Sequence, residues 1–310
     1  MLTQINGLHH VTAMAANAQT NNDFFTKVLG LRRVKTTVNF DAPDVYHLYY
    51  GDEVGTPGSV MTYFPFPNAA RGRPGTGEVG TTVFSVPGGA LPFWQDRLAA
   101  HRMTGVESTT RFGEARLSFA GPDGDGLALV EAADDRAPWT TAEISEEVAI
   151  RGFHSVDMRL STRGAEANIE LLRFMGYELV ATEDNVTRMR VAGGNGADVV
   201  DITESDLPFA AQGAGSVHHV AFSVKDRATQ LEVRQALVDA GAQITPVIDR
   251  DYFWAVYFRS PGGVLFEIAT DEPGFDRDED RDSLGQALKL PTQHEHLRPK
   301  LEKILEPIRD

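Results

Sequence analysis

The sequence predicts an α+β protein built from four βαβββ modules that pair into cupped, barrel-like mixed sheets. Three observations point there. The order strand, helix, strand, strand, strand recurs at a period of about 70 residues, the mark of a repeat architecture. Three of the helical stretches stop at a glycine (Gly30, Gly176 and Gly241), as helix C-termini commonly do. Matching turns, Gly121-Pro122-Asp123-Gly124 and Ser260-Pro261-Gly262-Gly263, precede the last strand of two modules. A lone four-stranded unit cannot bury both sheet faces, whereas paired units curl into a partly closed barrel.

In the first module Leu8 to Met14 reads as a strand and Thr20 to Leu29 as a helix, with Phe24, Phe25, Val28 and Leu29 on one face. Strands follow at Leu31 to Val38, Val45 to Tyr50 and Ser59 to Phe64. A Gly-, Pro- and Arg-rich loop, Pro65 to Gly77, marks a boundary. The second module has strands Thr81 to Val86, Val106 to Phe112, Ala115 to Ala120 and Leu127 to Ala132 around a helix from Ala90 to His101. An acidic linker, Asp134 to Glu147, separates the halves. The third module places strands at Gly152 to Leu160, Tyr177 to Thr182, Thr187 to Val191 and Asp198 to Thr203, with a helix from Ala165 to Met175. The fourth has strands Val217 to Val224, Ile244 to Asp249, Trp254 to Arg259 and Val264 to Ala269, with a helix from Ala228 to Ala240. The expected division is two N-terminal modules in 1–137 (about 1–66 and 78–133), two C-terminal modules in 148–275 (about 148–205 and 214–272), and a tail, 276–310. The tail opens on a charge run, Asp276 to Asp282, which reads as a solvated outer segment, and carries a helix at Glu295 to Leu305.

Composition narrows the function. The 310 residues are 42% hydrophobic and 24% charged, the balance of a globular protein with ample core. A formal charge of −15 argues against nucleic acid or an anionic membrane as partner. With no cysteine, disulfides, thiolate nucleophiles and Cys-bound zinc are excluded. No leader pattern and no membrane-length apolar run is visible, so a cytoplasmic protein is the default expectation.

Side chains alternate along a strand, so only one face of each lines the cup. First-strand ligand candidates are His10, His154 and His219, with nothing obvious in the second module; last-strand candidates are Thr62, Glu131 or a neighbour, Asp201 and Glu267. The doubled motifs Leu8-His9-His10-Val11-Thr12 and Val217-His218-His219-Val220 stand in corresponding strands. Burying four imidazoles without a function is costly. Adjacent histidines face opposite ways unless the strand bulges, so one of each pair is the direct ligand. Modules one and four would supply His10, His219 and Glu267, with Thr62 where Glu267 has its counterpart. Two imidazoles and one carboxylate suit a non-haem Fe(II) centre. A set of His154, His219 and Glu267 is the rival, and periodicity does not choose.

The ordered set of motifs resembles the hydroquinone ring-cleaving dioxygenases of the vicinal-oxygen-chelate (glyoxalase/extradiol dioxygenase) superfamily across almost the whole chain. Besides the His-His motifs, its landmarks are Tyr46-His47-Leu48-Tyr49-Tyr50, Gly55-Thr56-Pro57-Gly58, Arg111-Phe112-Gly113 and Arg151-Gly152-Phe153-His154-Ser155. Two more follow, Arg259 to Glu267 and Asp278 to Gly285. The resemblance implies the vicinal-oxygen-chelate fold and an extradiol-type dioxygenase acting on a small aromatic substrate with O2. It implies Fe(II), with Mn(II) as the alternative ion, on His10, His219 and Glu267, and places His9, Thr12, His218, Arg250 and Tyr257 around the substrate. It also suggests that the tail closes over the cup, and leaves homo-oligomerisation open. The chain departs from the pattern in loops, Phe40 to Asp44 and Trp254-Ala255. Two other readings stand beside it: a glyoxalase-like Zn or Ni lyase or isomerase, which usually needs a second carboxylate, and a non-catalytic small-molecule-binding protein of the same fold.

Overall fold

The structure, a computed structural model, describes residues 1–309. The first module contains β1 (Leu8–Ala15), α1 (Ala18–Asp23), β2 (Arg32–Val38), β3 (Tyr46–Gly51) and β4 (Val60–Pro65). The second contains β5 (Glu78–Val86), α2 (Leu91–Ala100), β6 (Thr104–Arg111), β7 (Glu114–Ala120) and β8 (Gly126–Glu131). In the third are β9 (Gly152–Leu160), α3 (Thr162–Phe174), β10 (Tyr177–Glu183), β11 (Val186–Val191) and β12 (Val199–Glu204). The fourth holds β13 (Val217–Val224), α4 (Arg227–Asp239), β14 (Ile248–Asp249), β15 (Phe253–Arg259) and β16 (Leu265–Pro273), and the tail ends in α5 (Arg298–Ile304).

Two eight-stranded mixed sheets result, in the orders β14-β15-β16-β13-β1-β4-β3-β2 and β10-β11-β12-β9-β5-β8-β7-β6. Pairing does not follow the halves of the chain. Module one joins module four through the antiparallel pair β1–β13, and module two joins module three through β5–β9. Within each module the first strand runs parallel to the last. The helices cover the outer faces, where Trp94, Leu98, Leu172, Val233 and Leu237 are buried in a core shared by the modules.

Local chemistry moves several predicted elements. The first helix becomes α only to Asp23 and then widens into a π-helix, Phe24–Val28. The wider turn lets the adjacent Phe24 and Phe25 both enter the core, their rings in edge contact at 4.9 Å. The strand expected from Ile244 shrinks to Ile248–Asp249. Pro246 lacks the ladder amide, and the Thr245 hydroxyl takes up the Tyr257 amide at 3.0 Å instead. In the tail Pro299 sits in the first turn of α5, and Thr292–Leu297 is a 3₁₀ helix rather than part of it.

The tail is not a purely solvated segment. Lys35, fully buried on β2, ion-pairs with Asp278 at 2.7 Å and Glu279 at 2.5 Å. Leu284, Leu290, Leu301 and Leu305 are buried against the body. Two of the five acidic residues in the charge run therefore answer one interior cation. Further on, Thr292 donates to the Asp251 carboxylate at 2.9 and 3.0 Å, and His294 Nε2 donates to the Phe40 carbonyl at 2.7 Å. The tail thereby ties the loop after β2 to the turn before β15. Among the described residues no helix is long and apolar enough to cross a membrane.

Candidate metal centre

The site forms where β1 and β13 meet at the middle of the first sheet. Both strands bulge there. Leu8 pairs with Phe222 and His10 with Ala221, which leaves His9 extra on β1. Thr12 pairs with His219 and Ala13 with Val217, which leaves His218 extra on β13. A bulge re-aims its side chains, so both members of each pair reach one side: His9 Nδ1 is 2.9 Å from His10 Nδ1, and His218 Nδ1 is 2.8 Å from His219 Nδ1.

The proton positions of the first pair can be deduced. The Thr270 carbonyl only accepts, so His9 Nε2, 3.1 Å away, carries the hydrogen. Burial, with His10 beside it, lowers the His9 pKa to about 3, so its Nδ1 is a bare lone pair. His10 Nδ1 must therefore donate to it. Such a contact fixes ring orientation and tautomer, the usual task of a partner behind a metal ligand.

His10 Nε2 then faces His219 Nε2 at 3.2 Å and a Glu267 carboxylate oxygen at 3.3 Å, while His219 Nε2 lies 2.9 Å from the same oxygen. Ligand atoms of the three residues all lie within 4.8 Å of one another, and all three residues are buried. Burial opposes ionisation of Glu267, but the two imidazoles hold its carboxyl well below the usual range. An anion facing two imidazole nitrogens in a dry setting calls for a cation, either a proton on a ring or a metal ion. Two nitrogens and a carboxylate oxygen with bare side chains between them fit a divalent transition metal.

Strand register identifies the counterpart of Glu267. Two residues after His219, Ala221 pairs with Glu267; two residues after His10, Thr12 pairs with Thr62. Thr62 is fully buried and bonded to Thr12 Oγ1 at 2.8 Å and His47 Nε2 at 2.8 Å. The position holds a hydroxyl, not a second carboxylate.

A cavity of about 440 Å³ opens above the three residues. His10, His218, His219, Arg250 and Tyr257 line it, with Phe40, Phe64, Phe66 and Phe253 as aromatic walls. Arg250 Nε donates to the Tyr257 hydroxyl at 3.2 Å. Burial, then the Glu267 charge, pushes the Tyr257 phenol well above its ordinary pKa, and burial, then His219, lowers His218 to about 4. His9 and Thr12 are placed differently. They lie beneath the cavity, one bonded to His10 and the other to Thr62.

Residues 7–129 and 157–268 match the Glyoxalase/Bleomycin resistance protein/Dioxygenase superfamily. The chain belongs to this superfamily. A relative from Bacillus subtilis named "Putative ring-cleaving dioxygenase MhqO" is 42% identical over 304 residues, covering 97% of this chain and 96% of that one. The chlorohydroquinone/hydroquinone 1,2-dioxygenase of Sphingobium indicum is 36% identical, covering 96% and 95%. A crystal structure of a "putative dioxygenase" from Bacillus subtilis superposes with a TM-score of 0.95 at 40% identity over 99% of both chains. Glyoxalase I from Zea mays shares the fold, with a TM-score of 0.60 at 13% identity over 86% of this chain and 92% of that one.

Among the described residues of this superfamily member, only one of the two cups carries a ligand set. His154 belongs to the second sheet and is the extra residue of a bulge in β9, the counterpart of His218 and not of His219. The same register puts Thr81, Ser155, Ala128 and Asp201 at the four ligand positions of the second cup. Asp201 is gripped by Arg188 at 2.8 and 2.9 Å. A guanidinium thus stands beside the one carboxylate among those four positions. Sheet membership separates His154 from His219 and Glu267, so the rival set does not assemble.

Nearby, Glu114 lies between His154 and Arg188. Burial works against its charge, but those two partners bring its carboxyl from an ordinary 4.5 down to about 2. A carboxylate depressed in the fold contributes stability above its unfolded pKa and loses it as pH falls towards the folded one. Glu114→Gln is expected to lower stability by about 1–3 kcal/mol at pH 7, after discounting for partial exposure. The gap to wild type should narrow steadily between pH 5 and 3 in urea titrations. A gap independent of pH would contradict the assignment.

His47 and Tyr49 also line the cavity, as do Asn39, Asp41, Ala42 and Gln212. The motif Tyr46 to Tyr50 held the signal: alternation puts His47 and Tyr49 on one face of β3. Of the two variable segments, the one at Phe40 reaches the cavity. Trp254 does not line it; its ring carries the Arg227 guanidinium at 5.3 Å.

Proposed function

We propose that the chain is an Fe(II)-dependent, extradiol-type ring-cleaving dioxygenase that inserts both atoms of O2 into hydroquinone- or catechol-type rings, with Mn(II) as the alternative ion. One observation carries this reading: a two-imidazole, one-carboxylate set whose counterpart position is a threonine, at the floor of an aromatic-walled cavity. The names of the relatives agree with it. A glyoxalase-like reaction is disfavoured because Thr62 offers no second carboxylate. A cytoplasmic setting completes the reading.

His10, His219 and Glu267 would hold the ion. What it supplies when bound is Lewis acidity towards a phenolic oxygen and redox chemistry towards dioxygen. The rest falls to the chain. Phe40, Phe64, Phe66 and Phe253 embrace a ring and exclude water. His218, neutral at pH 7, accepts the Nδ1 hydrogen of His219 at its own Nδ1, which leaves an Nε2–H to donate to a substrate oxygen. Arg250, with the Tyr257 hydroxyl it bonds, stabilises negative charge that builds on the substrate oxygens during cleavage. His9 and Thr12 act from below, His9 by holding the His10 ring and Thr12 by fixing Thr62.

Anaerobic loading with Fe(II), followed by oxygen-electrode assays with hydroquinone, substituted hydroquinones and catechol, tests the assignment. Stoichiometric oxygen uptake with at least one dihydroxy ring is expected. No uptake with any of them would overturn it.

A further inference from the structure

The pseudo-twofold axis of the first cup relates more than ligand positions. Tyr257 pairs with Glu267 across β15–β16, and Tyr49 pairs with Thr62 across β3–β4. The two tyrosines are symmetry mates on opposite walls, yet their partners differ. Tyr257 is bonded to a guanidinium. Tyr49 Oη is 2.8 Å from His47 Nδ1, whose ring continues to Thr62 and on to Thr12 in two more bonds of 2.8 Å. Two residues before Tyr257 stands Ala255, so the imidazole exists on one wall only. One wall is cationic and the other uncharged, because burial, then the neighbouring His10 and His219, keeps His47 neutral.

Along Thr12–Thr62–His47–Tyr49 there are four polar hydrogens and three hydrogen bonds, so one hydrogen is left at an end of the chain. With every bond pointing towards Thr12, Tyr49 shows the cavity lone pairs. With every bond reversed, it shows an O–H. A substrate hydroxyl, itself donor and acceptor, meets a partner in either state. A ring C–H or a methyl group leaves a buried polar group unanswered, which is how a site rejects an analogue lacking a hydroxyl.

Building on the hydroquinone reading above, we propose that His47 and Tyr49 form the recognition pair for the ring hydroxyl that stays protonated, so that the cavity selects para-dihydroxy rings over monophenols. Tyr49 contacts the substrate, and His47 positions and polarises it. The uncharged wall takes the neutral end of the ring, and the Arg250–Tyr257 wall takes the side where charge develops.

The test is calorimetric titration of the Fe(II)-loaded protein under anaerobic conditions with hydroquinone and with 4-methylphenol. Wild type should prefer hydroquinone by about tenfold or more. Tyr49→Phe, which keeps the ring packed on Phe275 at 5.0 Å, and His47→Leu should each bring the ratio near one by weakening hydroquinone alone. His47→Gln, which keeps a donor and an acceptor, should restore part of the preference. An unchanged ratio in Tyr49→Phe, or no preference in wild type, overturns the proposal. Selective hydroquinone binding without any oxygen uptake would sink the dioxygenase reading and leave this pair standing. Oxygen uptake with an unchanged ratio in Tyr49→Phe would do the reverse.

Discussion

His10→Ala is expected to lose its metal and its oxygen uptake together. Its Nε2 is one of three converging ligand atoms, and its ring is the one whose tautomer the Thr270 carbonyl dictates through His9. Losing an outer partner of a ligand commonly weakens metal affinity by roughly 10–100-fold, and losing the ligand itself should exceed that. Metal analysis after dialysis gives the direct readout, with the oxygen electrode alongside. Full metal content in the variant would mean that the three residues do not hold the ion. The fold should survive, since His10 is in the β1 ladder through its backbone and the alanine removes a buried polar ring.

Thr62→Glu is the second large effect. It places a second carboxylate at the register position of Glu267, two residues' pairing away from His10. Metal retention should rise, because a further anionic ligand joins the set. Oxygen uptake should fall by at least about 100-fold, because a position open to reactants becomes occupied and the bonds from Thr12 and His47 are lost. Thr62→Val separates the two causes, since it breaks those bonds without adding charge. Wild-type oxygen uptake in Thr62→Glu would show that the threonine is not what keeps the centre open. Circular dichroism guards against misfolding, as Thr62 is fully buried and the glutamate is larger.

The modules were legible in the sequence because the punctuation recurs: a glycine after three of the helices, a Pro- and Gly-containing turn before the last strand of two modules, and alternation between. His10, His219 and Glu267 were legible as one of two candidate sets, since alignment of the turns put Thr62 opposite Glu267 but periodicity did not choose between His10 and His154. What alternation hid was the pair of bulges. A one-residue insertion in pairing leaves no trace in the order of His9 and His10, yet it decides that both rings reach the same side. Without the bulge positions, His154 looked like a ligand; with them it falls at the place of His218. The tail was misjudged for a different reason. Its acidic run resembles a solvated segment until Lys35, 243 positions earlier, is seen to be buried under it. His47 and Tyr49 were present in a quoted motif, but nothing local distinguishes a cavity-facing strand residue from a core one.

The nesting of the sheets, module two with three inside module one with four, bears on how the protein is made. His10 leaves the ribosome among the first residues, while its partner His219 lies 209 positions later and Glu267 later still. Modules two and three, neighbours in the chain, can close their sheet while synthesis continues. Module one must wait with β1 unpaired on its far side until β13 arrives, an exposed edge of the kind that invites wrong partners. At typical elongation rates of roughly 5–20 residues per second, that wait is on the order of ten to forty seconds. His10, His219 and Glu267 are not together during that interval, so a nascent or truncated chain that lacks β13 and β16 has no such three-residue cluster.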